Sequence, residues 1–225
     1  MLILNLKTYT ESTNDNIYRL LDAVFKLVEQ TPKYNEIIFC AVNQLQILQA
    51  KEKYPALNFI SQSCDLVNQG STTGSIPVDL LLSAGINYSV INHAEKRVWD
   101  ENFVSKLDEY QEKMKFVVCC ENKDEVNELL TIKPLAIAYE NKELIGSGKS
   151  ITEENPDGVM QFINIAKGKT KVILGAGISS GQDVAKGLEM GAEGFILASA
   201  FVKANDPYAK LLELCKPFLK TEDRS

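Results

Sequence analysis

Histidine is almost missing from this chain: His93 is the only one among 225 residues. Cysteine occurs five times, as Cys40, Cys64, Cys119, Cys120 and Cys215, an odd number with no CxxC pair. One imidazole and no clustered thiols leave a zinc ion without a ligand set, so no metal is expected. The thiols read instead as buried and free, which fits a reducing cytosol and a cytoplasmic protein. No segment approaches the roughly 20 apolar residues of a membrane helix. The opening run Met1–Lys7 is too short for a signal peptide and carries no basic leader. Positive charge is also in deficit, with 24 Lys and Arg against 30 Asp and Glu and a formal net charge of −6. The basic residues are scattered, which argues against nucleic acid or an anionic membrane as partner. A small anionic substrate stays open, through local positive charge acting against the global field.

The remaining composition is that of an ordinary globular protein, 45% hydrophobic and 24% charged. No stretch rich in Pro, Gly or Ser divides the chain. Residues 1–225 are therefore expected to form one domain, with 220–225 a frayed polar tail. Apolar periodicity then switches repeatedly between strand and helix. Strands are expected at Leu2–Leu6, Ile37–Val42, Leu57–Gln62, Tyr88–Ile91, Lys115–Cys119, Leu135–Tyr139, Lys171–Leu174 and Glu193–Leu197. The first helix repeats Ile17, Leu20, Leu21, Val24, Leu27 and Val28, with Asn14 or Asp15 as its cap. Later helices span about 44–53, open at Pro77 and at Pro156, and cover 124–130, 181–190 and 206–219. Another is expected directly after His93, at Glu95-Lys96-Arg97, and carries Phe103, Val104, Leu107 and Met114. Eight strand–helix pairs of about 25–30 residues each imply parallel βαβ units closed into a (β/α)₈ barrel. An open doubly wound sheet is the competing fold, but its GxGxxG after the first strand is missing.

In such a barrel the active site lies at the carboxyl ends of the strands. That rule selects Asn5 and Lys7 after the first strand, His93 and Glu95 after the fourth, and Glu140 after the sixth. The turns after strands six, seven and eight add Gly146-Ser147-Gly148, Gly175-Ala176-Gly177 and Ala198-Ser199-Ala200. One carboxylate, one imidazole and one ammonium suit proton abstraction next to a carbonyl. Small residues on neighbouring turns let backbone N–H groups converge on an anion. Each feature alone has a plainer reading: a structural histidine, a solvated loop acid, a surface lysine, glycines as turn punctuation. Their joint placement at one mouth favours a site.

Together, the segments Asn5-Leu-Lys7-Thr-Tyr, Gly70 to Gly74, Asn92-His93-Ala-Glu95-Lys-Arg97, Ala138-Tyr-Glu140, Leu144-Ile-Gly146-Ser-Gly148, Gly175-Ala-Gly177-Ile and Leu197-Ala-Ser199 resemble the triosephosphate isomerase family in its short archaeal form. The resemblance runs over almost the whole chain. It implies interconversion of dihydroxyacetone phosphate and D-glyceraldehyde 3-phosphate through an enediol(ate), without cofactor or metal. Glu140 would be the base and His93 the neutral electrophile, its neutrality favoured by a helix N-terminus. Lys7 would stabilise negative charge, Asn5 would bind near the substrate oxygen, and Glu95 would hold the lysine. The phosphate would rest on Ile145, Gly146, Ser147, Gly177, Ala198 and Ser199, with 143–148 as a closing lid. Thr73, near the tip of the third loop, would reach into a neighbouring subunit of a homodimer, or of a tetramer as in the archaeal branch.

The departures are specific. Asn141 stands where the family has a proline at the leading hinge of the lid, and loss of proline should add freedom to the open lid. Ala94 replaces a serine after the histidine, removing a hydroxyl that could contact the base. Asn43 replaces a proline after the second strand, and Ser63-Cys64 replaces a His- or Asn-containing pair. Two other functions stay open at this point. A Schiff-base aldolase of the phosphosugar-barrel type would need a strand-end lysine, for which Lys7 is the sole candidate. A non-catalytic barrel would fit the altered hinge and Ala94.

Overall fold

The computed structural model describes residues 1–144 and 149–222. Eight parallel strands close on themselves in chain order: β1 (Leu2–Asn5), β2 (Ile38–Val42), β3 (Phe59–Ser61), β4 (Tyr88–Ile91), β5 (Lys115–Cys120), β6 (Ala136–Tyr139), β7 (Lys171–Leu174) and β8 (Gly194–Leu197). Closure is explicit at β1, where Leu2 stands beside Ile38 of β2 on one side and Phe195 of β8 on the other. The described helices are α1 (Asn16–Gln30), α2 (Ile47–Lys53), α3 (Val78–Ser83), α4 (Phe103–Gln111), α5 (Lys123–Ile132), α6 (Ile151–Glu154), α7 (Pro156–Ala166), α8 (Gly181–Met190), α9 (Ser199–Val202) and α10 (Pro207–Glu222). The open doubly wound sheet is thereby excluded.

Strand alternation sorts the side chains into two layers. Ile3, Phe39, Ala41, Ile60, Val90, Val117, Cys119, Ala136, Ala138, Ile173 and Ile196 fill the barrel interior. The alternate positions, such as Leu2, Leu4, Phe116, Val118, Ile137 and Phe195, pack outward against the helices. α1 contributes Ile17, Leu20, Leu21, Val24 and Leu27, all fully or almost fully buried. Local chemistry sets several helix starts. Asn122 accepts from Glu125 N at α5, Asn155 from Gly158 N at α7, and Ser180 with Asp183 forms a capping box at α8.

Several expected details differ. Helix does not begin after His93; residues 94–102 are loop and turn, and α4 starts only at Phe103. α4 ends at Gln111, so Met114 lies beyond it, although still buried. Pro77 is the residue before α3 rather than its first turn, with an extended backbone (φ −61°, ψ 152°). Asp15 precedes α1 without a capping side-chain bond, and Asn14 takes a left-handed φ of 50°. The region expected to fray from Lys220 is helical through Glu222, and 223–225 lie outside the described residues.

Gly187 shows how closely helix and barrel approach. A Cβ there would stand 2.5 Å from the Phe195 ring, which is fully buried. Gly187→Ala is expected to cost about 1–3 kcal/mol by overpacking. Phe195→Leu should recover part of that loss in the double variant. Denaturant midpoints of the four proteins measure it, and simple additivity would contradict the contact.

Candidate active site

Alternation carries Asn5 inward at the end of β1 and Glu140 inward just past β6, two residues after the interior Ala138. Asn5, Lys7, His93, Gly177, Ala198 and Ser199 line one cavity of about 190 Å³ at the carboxyl ends of the strands, together with Tyr9, Gly175 and Ser179. Glu95 borders an adjoining cleft of about 180 Å³ that shares Asn5, Lys7 and His93 and adds Gln44, Gln62, Ser63 and Lys96. Glu140 lines neither, being only 1% exposed. Thr73 is exposed on the loop between β3 and α3 and borders neither cavity of its own chain. Ile145, Gly146 and Ser147, with Gly148, lie outside the described residues. Among the described residues no three His, Cys, Asp or Glu side chains gather as a metal site.

Three successive N–H groups after β4 organise the titratable groups. Ala94 N donates to Glu140 Oε2 (2.9 Å), Glu95 N to His93 Nδ1 (3.1 Å), and Lys96 N to His93 O (2.7 Å). Because Nδ1 accepts, the ring proton of the neutral imidazole resides on Nε2. Nε2 in turn lies 3.2 Å from Glu140 Oε1. That approach lacks the alignment of a hydrogen bond, and among the described residues Oε1 is left buried without a partner. The site therefore holds a buried, unsatisfied carboxylate oxygen beside the His93 ring.

Burial dominates both titrations. It raises Glu140 to about 7, against opposing pulls from the Ala94 N–H, the Cys119 thiol and the Lys7 charge, while Glu95 pushes the same way as burial. It lowers His93 to about 4, helped by Lys7 and opposed by Glu95. The imidazole is thus neutral near pH 7, but through burial and a neighbouring ammonium. The helix dipole expected from the sequence does not act here, since no helix starts at His93.

Lys7 Nζ stands 2.6 Å from Glu95 Oε1. The Lys7 backbone is left-handed (φ 48°), a costly conformation for a non-glycine residue. Gln62 Nε2 restrains it by donating to Lys7 O (3.2 Å) and Ala41 O (2.9 Å). Two glycines have steric duties. A Cβ on Gly175 would come 2.8 Å from Glu140 Cγ, and one on Gly177 (φ 69°) would fall 1.7 Å from Lys149 O. Loss of the serine hydroxyl at Ala94 does not release Glu140, because the backbone N–H takes the carboxylate instead. At Asn141 the side chain accepts from Glu143 N (3.0 Å), while Leu144 N donates to Asn141 O (3.0 Å). An Asx turn thus braces the segment that proline would have stiffened.

Gln62 and Cys119 had no assigned role in the sequence reading. The signal for both was available in strand parity, since each occupies an inward position near the end of its strand. The closeness of Cys119 to Glu140 was not, because it depends on the register between β5 and β6.

The family profile described as triosephosphate isomerase matches residues 1–217. The chain is 32% identical to the triosephosphate isomerase of Thermoplasma volcanium, covering 95% of this chain and 98% of that protein. Identity is 34% with that of Caldivirga maquilingensis, over 97% of both chains. It is 36% with that of Cenarchaeum symbiosum, over 96% of both.

The shifts have opposite consequences for stability. Glu140 ionises about 7 in the fold and nearer its ordinary 4.5 when unfolded, so the native state loses stability as pH rises between those values. His93 protonates about 4 in the fold against 6.5 ordinarily, so stability is lost as pH falls from 6.5 towards 4. Glu140→Gln should therefore gain on the parent by roughly 1–3 kcal/mol between pH 5 and pH 8. Thermal unfolding at the two pH values checks it, and a pH-independent difference would count against the buried charge. The lone histidine also makes ¹⁵N NMR unambiguous. The ring should show the Nε2–H tautomer and titrate about pH 4.

Proposed function

Because the chain belongs to the triosephosphate isomerase family and interconverts dihydroxyacetone phosphate and D-glyceraldehyde 3-phosphate, we propose that Glu140, His93 and Lys7 carry that reaction. Glu140 takes the proton from the carbon beside the carbonyl. A carboxyl with pKa about 7 is matched to a proton exchanged near neutral pH. His93 donates from Nε2 to the carbonyl oxygen as a neutral acid, a pairing of base and electrophile already described for this family. Lys7, held by Glu95, offsets charge on substrate and enediolate, and Asn5 supports the same oxygen region. The phosphate rests on backbone N–H groups of Gly177 and Ala198-Ser199 and of Ile145-Gly146-Ser147. Lid closure over 143–148 would keep water from the enediolate. The chemistry needs no metal or cofactor.

The observation that carries this reading is the approach of Glu140 Oε1 to His93 Nε2 at 3.2 Å, with Oε1 otherwise unpartnered. Glu140 is nevertheless withdrawn from the cavity, so it must leave the Ala94 N–H to reach substrate. The absence of a side chain at Gly175, against Glu140 Cγ, gives it room to do so.

We also infer a homodimer, with a tetramer as its higher assembly, in the cytoplasm. The cleft beside Lys7 and His93 is open and polar. The Thr73 loop of a second copy is the segment assigned to the cleft. The five cysteines are free and buried, which suits a reducing compartment. Among the described residues no helix is long and apolar enough to cross a membrane.

Glu140→Asp is expected to lower kcat by about two to three orders of magnitude, since the shortened base misses the reacting carbon. Binding of a phosphate-bearing analogue should survive. A coupled assay for glyceraldehyde 3-phosphate measures both, and an unimpaired variant would remove Glu140 from the role. Borohydride trapping should give no adduct; a covalent product at Lys7 would favour an aldolase. Sedimentation equilibrium reads the assembly, and a monomer at micromolar concentration would refute the shared site.

A further inference from the structure

Strand alternation gives β4 a problem. Tyr88 and Val90 face the barrel interior, and Ile91 packs outward against the helices. Continued alternation would turn Asn92 inward and send His93 outward with Ile91. His93 instead lines the cavity with Asn5 and Lys7. The reversal happens at Asn92, whose φ is 63°, in the left-handed region that Asn tolerates better than most residues.

Asn92 does more than tolerate the turn. It is 1% exposed, and both ends of its carboxamide are used. Oδ1 accepts from Val98 N (3.0 Å), closing the loop 92–98 on itself, and Nδ2 donates to Cys119 O (2.8 Å), tying that loop to β5. The next carbonyl of β5, Cys120 O, receives Glu140 N (3.0 Å). One side chain therefore joins the loop of the electrophile to the strand that positions the base. Within the clamped loop lie the Ala94 and Glu95 N–H groups that bond Glu140 Oε2 and His93 Nδ1. Two further tethers hold its flank. Lys96 Nζ reaches Ser63 Oγ (3.1 Å), and the Arg97 guanidinium pairs with buried Glu125 through both carboxylate oxygens.

We propose that Asn92 is a positioning residue for the isomerase reaction: its carboxamide clamp holds the 92–98 loop so that His93 presents its Nε2–H and the Ala94 N–H gives Glu140 a defined resting seat from which it moves to substrate. The clamp acts through the loop backbone and touches no substrate. It rests on the functional reading above, but its structural core can be read without turnover.

Asn92→Gly separates the clamp from the turn, because glycine takes a positive φ freely and carries no carboxamide. The proposal expects kcat to fall by about 10- to 100-fold with KM nearly unchanged, the cost of misplacing reacting groups by a fraction of an ångström to 1 Å. It also expects the acid limb of kcat/KM to move to higher pH, as Glu140 loses a bond that favours its charge. The groups facing that carboxyl are His93 and Glu95 from the same loop, Lys7 from just after β1 and Cys119 from β5, and none is altered in the variant. The ¹⁵N signals of His93 should show a mixture of tautomers once the Glu95 N–H is no longer held on Nδ1. Wild-type kcat, acid limb and tautomer in Asn92→Gly would overturn the proposal and leave Asn92 as a turn residue only. A fall in kcat with acid limb and tautomer unchanged would overturn it equally. Should Asn92→Gly fail to fold, Asn92→Asp keeps the Val98 acceptor and loses the Cys119 donor. Its His93 tautomer is read in the same way: mixing supports the clamp, and the parent signal refutes it. Failure of the functional reading would show separately, as a parent protein without isomerase turnover whose tautomer still responds to position 92.

Discussion

A carboxyl group held almost entirely out of water, 3.2 Å from an imidazole equally reluctant to charge, is the constraint on which the mouth of this barrel depends. Desolvation moves the two groups in opposite senses, the acid up to about 7 and the imidazole down to about 4. Near neutral pH the pair is therefore a partly protonated carboxyl beside a neutral imidazole. Nothing about either residue type produces this; the same Glu and His in water would be fully ionised and partly ionised. Burial does it, and burial destabilises. The fold carries an unpartnered acceptor, a left-handed lysine and a left-handed asparagine at one rim, conformations and solvation states that cost stability and persist only because the surroundings over-determine them.

Those surroundings are mostly backbone. Three consecutive N–H groups at 94–96 are used on Glu140, on the His93 ring and on the His93 carbonyl. At position 94 the contact to Glu140 is made by the main chain, which does not depend on the side chain there. Backbone donors fixed in a closed loop lose little freedom when charge develops, which is what a site needs to stabilise a transient anion.

Much of this was legible in the chain itself. Eight alternations of period 2 and period 3.6 define eight strands and their helices, because hydrophobic period is a local property. The strand-end rule then selects Asn5, Lys7, His93, Gly177, Ala198 and Ser199, and all six line one cavity. Alternation also carries Glu140 inward. What misled was the junction after His93, where the charged cluster Glu95-Lys96-Arg97 reads as a helical first turn. Its side chains are instead dispersed to Lys7, Ser63 and Glu125, on three different parts of the barrel. The Asx turn at Asn141 was not legible either, since it shows only when the backbone comes back within reach of the side chain.

The sequence by itself determined the order of elements, the closed barrel and the short list of residues at its mouth, since each follows from local pattern and from the handedness of βαβ connection. Only the tertiary structure decided how deeply Glu140 is buried, why His93 is neutral, and that Asn92, Gln62, Cys119 and Gly175 stand behind them. Those properties arise from register between strands distant in the chain and from exclusion of water, and neither quantity is carried by any single segment.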